Sequence, residues 1–233
     1  MKNIKFLVIG IALAAFSLGM DWHKGDDYSK PVILKDSDFD LKKAIPPPPA
    51  KGSAQEKKDF KVIHDWQKKR TKEQCDNGKH VVDISIQAFY GKPYGPLSDA
   101  EVKALDPFLD QIRWDAGHFA GILKAHYNRP RPYITDSTLE PCARREVNAA
   151  YPSGHTTMMY AIGAVLSKWD PKRKSVFMKR AEEVSQGRIQ VGVHHPSDID
   201  GGKKLAQYLV AKYWKDAEFM KAFKALPAPG SIH

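Results

Sequence analysis

The 233-residue chain has almost no strand-like alternation of apolar and polar residues, and it contains no internal repeat. A β-rich or solenoid architecture is therefore not expected. Long apolar runs are scarce as well: the one candidate, residues 6–16, falls short of the roughly 20 residues that a spanning helix needs. No cysteine follows that run closely enough to take a lipid, so the mature chain is expected to be soluble. There is no Asp-rich loop of the kind that holds Mg²⁺. Basic residues are abundant, 37 Lys plus Arg against 27 Asp plus Glu, yet they are scattered with few aromatics among them. That pattern argues against a dedicated nucleic-acid platform, while the net charge of +10 favours anionic partners, whether phosphate esters, nucleotides, nucleic acid or acidic lipid surfaces, without choosing among them.

The chain opens with Lys2 and Lys5, an apolar stretch, and the small residues Ser17 and Gly19, the form of a secretory signal at 1–19. A periplasmic or secreted location follows. The two cysteines, Cys75 and Cys142, fit an oxidising compartment and are expected to form a disulfide. Closing so long a loop contributes up to ~4 kcal/mol in the chain-entropy picture. Two free buried thiols are the alternative.

Residues 20–52 are polar and irregular and include four consecutive prolines, 46–49, so they are expected to form an extended N-terminal arm along the surface. Ser53 with Glu56 three residues on is an N-capping pattern for a helix carrying Phe60, Val62, Ile63 and Trp66, with Gly78 expected to mark the break after it. Ser98 and Glu101 repeat the cap ahead of Val102, Leu105, Leu109, Ile112, Ala116, Phe119 and Leu123. Steps of three and four make this a long amphipathic helix ending near Lys124. Pro130 and Pro132 then place Arg129 and Arg131 on a stiff loop. After a loop-rich stretch, TTMMYAIGAVLSKW is apolar nearly all round, as a central buried helix would be. Pro171 and Pro196 open two more helices, and a short one closes the chain at 216–226. The class is all-α, a compact helical bundle: a domain over 53–226 and a tail at 227–233.

Three clusters stand out: KAHYNRPRP, YPSGHTT and GRIQVGVHHPSD. A phosphoryl group in transfer carries charge on its equatorial oxygens and is stabilised by Arg, Lys or a metal ion. Lys124, Arg131 and Arg188 can supply that charge, the arginines through planar forks that bind two oxygens each. Ser153 and Gly154 stand where a loop enters a helix, a place where free N–H groups meet anions, although Ser153 also reads as a plain N-cap. His194 and Asp198 are four apart; a carboxylate on one imidazole nitrogen frees the other as a nucleophile. His155 is the candidate general acid and base. His195 competes with His194 but has Ile199 four residues on, and His126, two residues from Lys124, is expected to point away from it into packing or support behind the site.

In order, K-x6-R-P, P-S-G-H and R-x5-H-x3-D closely resemble the three-part signature of the phosphatidic acid phosphatase type 2 (PAP2) superfamily. Within it the PPPPA arm, KAHYNRPRPY and AYPSGHTT are similar to the bacterial class A non-specific acid phosphatases, over residues 45–223. The resemblance implies an exported helical acid phosphatase. It would hydrolyse phosphate monoesters, including nucleotides and sugar phosphates, without cofactor or metal, through a phosphohistidine on His194. It assigns acid and base to His155, orientation of His194 to Asp198, and phosphate binding to Lys124, Arg131, Ser153, Gly154 and Arg188. One departure is Gly187, where the family usually has Ser before the arginine. Self-association is common among such enzymes, so a homo-oligomer is a further expectation.

Rival readings keep or discard this site. A vanadate-dependent haloperoxidase or a lipid phosphate phosphatase would use the same pocket, although the lipid enzymes thread the membrane several times. From another class, His194, His195, Asp198 and Asp200 would be ligands of a metal-binding protein, or the arginines would capture phosphate without turnover.

Overall fold

The computed structural model describes residues 28–82 and 84–232. The expected signal at 1–19 and the start of the arm lie outside the described residues. Among the described residues there are ten α-helices and two 3-10 turns and no strand, only an isolated bridge between Gly91 and Leu97.

Helices α1 (Leu41–Ala44), α2 (Ala54–Lys69), α3 (Lys72–His80) and α4 (Ile86–Tyr90) precede the long α5 (Asp99–Tyr127). The short α6 (Pro132–Thr135) follows, then α7 (Gly154–Trp169), α8 (Lys174–Gln190), α9 (Pro196–Tyr213) and α10 (Ala217–Lys224). The apolar character of α7 is explained by its place, since it packs against α5, α8 and α9 at once and buries Met158, Met159, Ile162, Val165 and Leu166. Fully burying each such side chain contributes about 1.5–3 kcal/mol. A second, smaller cluster of Ile63, Tyr133, Leu139, Ile189, Val191, Val193 and Ile199 lies apart from it.

Local chemistry sets most boundaries. Ser98 Oγ accepts from Glu101 N and the Glu101 carboxylate accepts from Ser98 N, closing the capping box at the head of α5. Asn128, in the left-handed region at φ 44°, ends α5. Two sequence expectations are corrected. The helix begun at Ser53 breaks at Arg70, because Thr71 caps a new helix, and Gly78 lies inside α3. A Cβ on Gly78 would come within 2.1 Å of Val191 Cγ1, so its bareness serves close packing.

The N-terminal segment is also more than a surface arm. Tyr28, Leu34, Ala44 and Ile45 are buried. Asp115 on α5 accepts the backbone N–H groups of Val32 (2.5 Å), Ile33 (3.0 Å) and Leu34 (2.9 Å), and a short helix, α1, stands where irregular chain was expected. The proline run at 46–49 is non-helical as expected, with Tyr151 Oη donating to Pro46 O at 2.6 Å.

Candidate functional site

The three sequence clusters converge where α5 ends and α7, α8 and α9 meet. Pro196 at the first position of α9 and the turn at Gly192 (φ 85°) place His194 and His195 just outside that helix. The start of α7 is tied to α9, with Ser153 N donating to Asp198 O at 2.9 Å. Gly202 makes this approach possible, since a Cβ there would stand 2.7 Å from Ser153 O.

His194 is 1% exposed. An arginine N–H can only donate, so Arg131 Nη1, 2.9 Å from His194 Nε2, requires the lone pair on that nitrogen. The proton then sits on Nδ1, 3.2 Å from Asp198 Oδ2. This is the tautomer a histidine nucleophile needs. Burial and then the Arg131 charge push the His194 pKa down to about 3, against the pull of Asp198, so the ring is neutral at any mild pH.

Asp198 is shared more widely than the sequence indicates. Its Oδ2 also accepts from His195 N (2.8 Å) and faces His195 Nδ1 (3.1 Å), so the step of four does not separate the two histidines. His195 lies edge-on to Phe60. Oδ1 of Asp198 accepts from Arg129 Nη1 at 2.7 Å, whose Nη2 reaches Asp59 Oδ2 on α2 at 3.1 Å. Ser197 Oγ joins the same Asp59. Burial opposes the charge on Asp198, but the two histidines and Arg129 outweigh it and hold the carboxyl well below its usual range. Arg129 and Asp59 were missed from sequence; for Arg129 the signal was its place beside Arg131 in NRPRP, and Asp59 gave none.

His155, in the first turn of α7, has Nε2 2.9 Å from Val81 O and its ring beside Phe89. Burial, then Arg188, push its pKa well down. Ser153 Oγ caps α7, accepting from Thr156 N at 3.4 Å and lying 3.1 Å from Thr156 Oγ1. Lys124 Nζ donates to the carbonyls of Ala149 and Ala150. Its burial, followed by the Arg131 charge, holds its pKa well below that of a free lysine.

Arg131 and Arg188 are 2% and 1% exposed and meet a carboxylate absent from the sequence reading, Glu146. Its Oε2 is 2.5 Å from Arg131 Nη2, and its Oε1 accepts from Arg188 Nη2. Arg131 also donates to Val193 O and to Asn148. Burial raises the Glu146 pKa, yet the two arginines reverse this and hold it well below the carboxylate range. Gly78 and Val81, whose carbonyls face Arg188 and His155, also line a groove of about 790 Å³ together with Tyr94, Arg180 and Gly187.

The remaining expectations have different outcomes. His126 is exposed and touches Tyr127, so it stands neither in packing nor behind the site. Asp200 is exposed while Asp198 is fully buried, and among the described residues no three His, Cys, Asp or Glu side chains are grouped to hold a metal ion. Cys75 and Cys142 form a disulfide with Cα atoms 5.7 Å apart, tying α3 to the loop that carries Glu146. Among the described residues no helix is long and apolar enough to cross a membrane.

Residues 116–217, which span all three clusters, match the PAP2 superfamily. Over 208 residues, 84% of this chain and 84% of the relative, the sequence is 27% identical to a non-specific acid phosphatase of Providencia stuartii. A non-specific acid phosphatase of Salmonella typhimurium is 24% identical over 188 residues, 76% of this chain and 75% of its own. Two solved structures share the fold. The first bacterial vanadium-dependent iodoperoxidase superposes with TM-score 0.54 at 16% identity, covering 81% of this chain and 54% of the peroxidase. A transmembrane PAP2-type phosphatidylglycerolphosphate phosphatase from Bacillus subtilis gives 0.50 at 21%, covering 76% and 91%. The chain thus carries a PAP2 superfamily domain, in a sequence whose relatives along most of its length are non-specific acid phosphatases.

Proposed function

We propose that the protein is an exported, metal-independent acid phosphatase that hydrolyses phosphate monoesters through a phosphohistidine on His194. The observation that carries this reading is the His194 ring: neutral, buried, protonated on Nδ1 toward Asp198, with its Nε2 lone pair beside the Arg131 guanidinium. A phosphorus atom seated there receives the Nε2 pair as the P–N bond forms and the ester P–O bond breaks. Arg131 turns its Nη1–H from Nε2 to a phosphoryl oxygen, and Arg188 stabilises the neighbouring oxygens. Ser153 and Gly154 line the seat at the start of α7, and Lys124 adds charge from α5.

His155 delivers the proton to the leaving oxygen. With Nε2 on the Val81 carbonyl, that task falls to Nδ1. In the second half it takes a proton from the attacking water, and the P–N bond breaks. Burial and Arg188 keep His155 neutral without substrate; the negative phosphoryl group, set between them, draws its pKa back up. Activity is therefore expected on the acid side of neutrality. The domain proper is 53–226, with the signal at 1–19 removed on export to the periplasm.

The test is hydrolysis of a chromogenic phosphate monoester at about pH 5.5 with EDTA present, comparing the wild type with His194→Ala. The expected result is wild-type turnover that falls by at least about 10³-fold in the variant. Equal activity in the two proteins, loss in EDTA, or activity rising steadily above about pH 8 would overturn the assignment.

A further inference from the structure

Glu146 is an oddity in a site for anions. Its backbone is pinned to the Tyr133 hydroxyl in both directions, N–H to Oη and Oη–H to O, at 2.8 Å each, so its carboxylate is held where it stands. The side chain is 13% exposed. Every neighbouring element presents a titratable or cationic group to it: Lys124 from α5, Arg131 just before α6 and Tyr133 within it, His155 from α7, Arg188 from α8, and His194 before α9. Because it lies within electrostatic reach of both histidines as well as both arginines, it sits among the groups proposed to surround the phosphoryl group.

A carboxylate offers about four lone-pair directions, and the two arginine N–H groups take two. On the donor side Arg188 Nε, buried, has no hydrogen-bond partner among the described residues. An oxyanion seated beside His194 therefore meets unfilled donor capacity on Arg188 and an acceptor-only oxygen on Glu146. A bare anionic oxygen against that acceptor is repelled, whereas an oxygen carrying a proton donates to it.

We propose that Glu146 is a specificity-determining residue of the phosphate cradle, accepting the hydrogen bond of a P–O–H group, so that the site takes protonated phosphate and phosphate monoesters in their singly protonated form and rejects oxyanions without a proton, such as sulfate. This rests on the reading of the cluster as a phosphate site. It also deepens the acid preference: a monoester loses its last proton near pH ~6, so above that pH it no longer has a hydrogen to give. Inorganic phosphate keeps one proton well beyond that range.

The experiment measures binding of inorganic phosphate and of sulfate, as competitive inhibitors and by calorimetry, to the wild type, Glu146→Gln and Arg188→Gln. In the wild type, sulfate is expected to bind about 100-fold more weakly than phosphate, since it forfeits one hydrogen bond to a charged acceptor and leaves that acceptor unpaired. In Glu146→Gln the gap is expected to close to within about threefold, because the amide N–H₂ donates to a bare oxygen. Equal binding of sulfate and phosphate by the wild type overturns the proposal without any variant. So does a Glu146→Gln protein in which both ligands weaken, or both tighten, by one common factor; that would make Glu146 a brace for the arginines or a plain competitor for them. Phosphate binding that depends on Arg188 while sulfate binds as well sinks the Glu146 role alone. Failure of the wild type to bind phosphate at all sinks the cradle with it.

Discussion

The two sides of the candidate site are held by different means. The histidine side is rooted in helices: His194, His195 and Asp198 belong to the entry of α9, Ser153 and His155 to that of α7, and Arg129 with Asp59 fastens Asp198 to α2. The arginine side leans on the long loop between α6 and α7. That loop has almost no regular structure and is fixed by individual contacts, among them the disulfide, Gln67 with Thr138 and Glu140, His64 with Asp136, and Glu146 with the two guanidiniums. A site so divided can keep the proposed nucleophile rigid while the proposed anion-binding wall depends on links that chemistry can cut one at a time.

The largest expected effect breaks the helical side. In Asp198→Asn the amide can donate to His194 Nδ1 and favour the wrong tautomer, so kcat is expected to fall about 10³–10⁴-fold with little change in KM. Steady-state kinetics on the folded variant check this. An equal loss spread into KM would mean that Asp198 shapes binding rather than the ring. Cutting the loop side should look different. Replacing Cys75 and Cys142 by serine is expected to cost up to ~4 kcal/mol of stability, read from the denaturant midpoint, because the bridge closes a 67-residue separation. Its kinetic signature should be a raised KM with kcat nearly kept, the reverse of Asp198→Asn.

Smaller is a pH effect that belongs to the histidine side. His194 has a folded pKa of about 3 against 6.5 for the free ring, so below pH 6.5 the unfolded chain binds a proton that the folded one refuses. Its stabilising share is complete above 6.5 and is lost on acidification, by about 1.4 kcal/mol per pH unit until the folded pKa is reached. Unfolding curves between about pH 7 and 5 should be shallower in pH for His194→Gln than for the wild type. Saturating phosphate should reduce the wild-type slope, since an anion beside the ring favours its protonated form.

The same division explains what could be read from the chain alone. The helical side was legible because caps and periodicity are local: Ser98 with Glu101, the prolines at 171 and 196, and the all-apolar face of α7 each state a helix within a few residues. His194, Asp198, Arg131 and Arg188 were singled out because they stand together in motifs that resemble the PAP2 signature, and the structure brings them close to one another. Glu146 was not, because it lies in a stretch without period or cap, and its partners are 15 and 42 residues away. Asp59 failed for the same reason, 70 residues from Arg129 on an otherwise ordinary amphipathic helix. The sharing of Asp198 by two histidines was hidden because the step of four on an ideal helix ignores that His194 and His195 precede α9 and turn in toward it.

The smallest expected effect probes Gly187, where the α8 backbone passes the groove beside Arg188. A Cβ there would meet nothing within 4 Å, and the residue has no need of positive φ, so glycine is not required by sterics. In a helix interior glycine costs backbone entropy, and replacing it by serine recovers about 0.5 kcal/mol. Gly187→Ser is therefore expected to raise the midpoint of unfolding slightly. Any effect on turnover should appear in KM, because a hydroxyl next to Arg188 adds a donor to the anion-binding wall and leaves the His194 ring untouched. A fall in kcat would show that the two sides of the site are coupled through α8 more tightly than their separate anchoring implies.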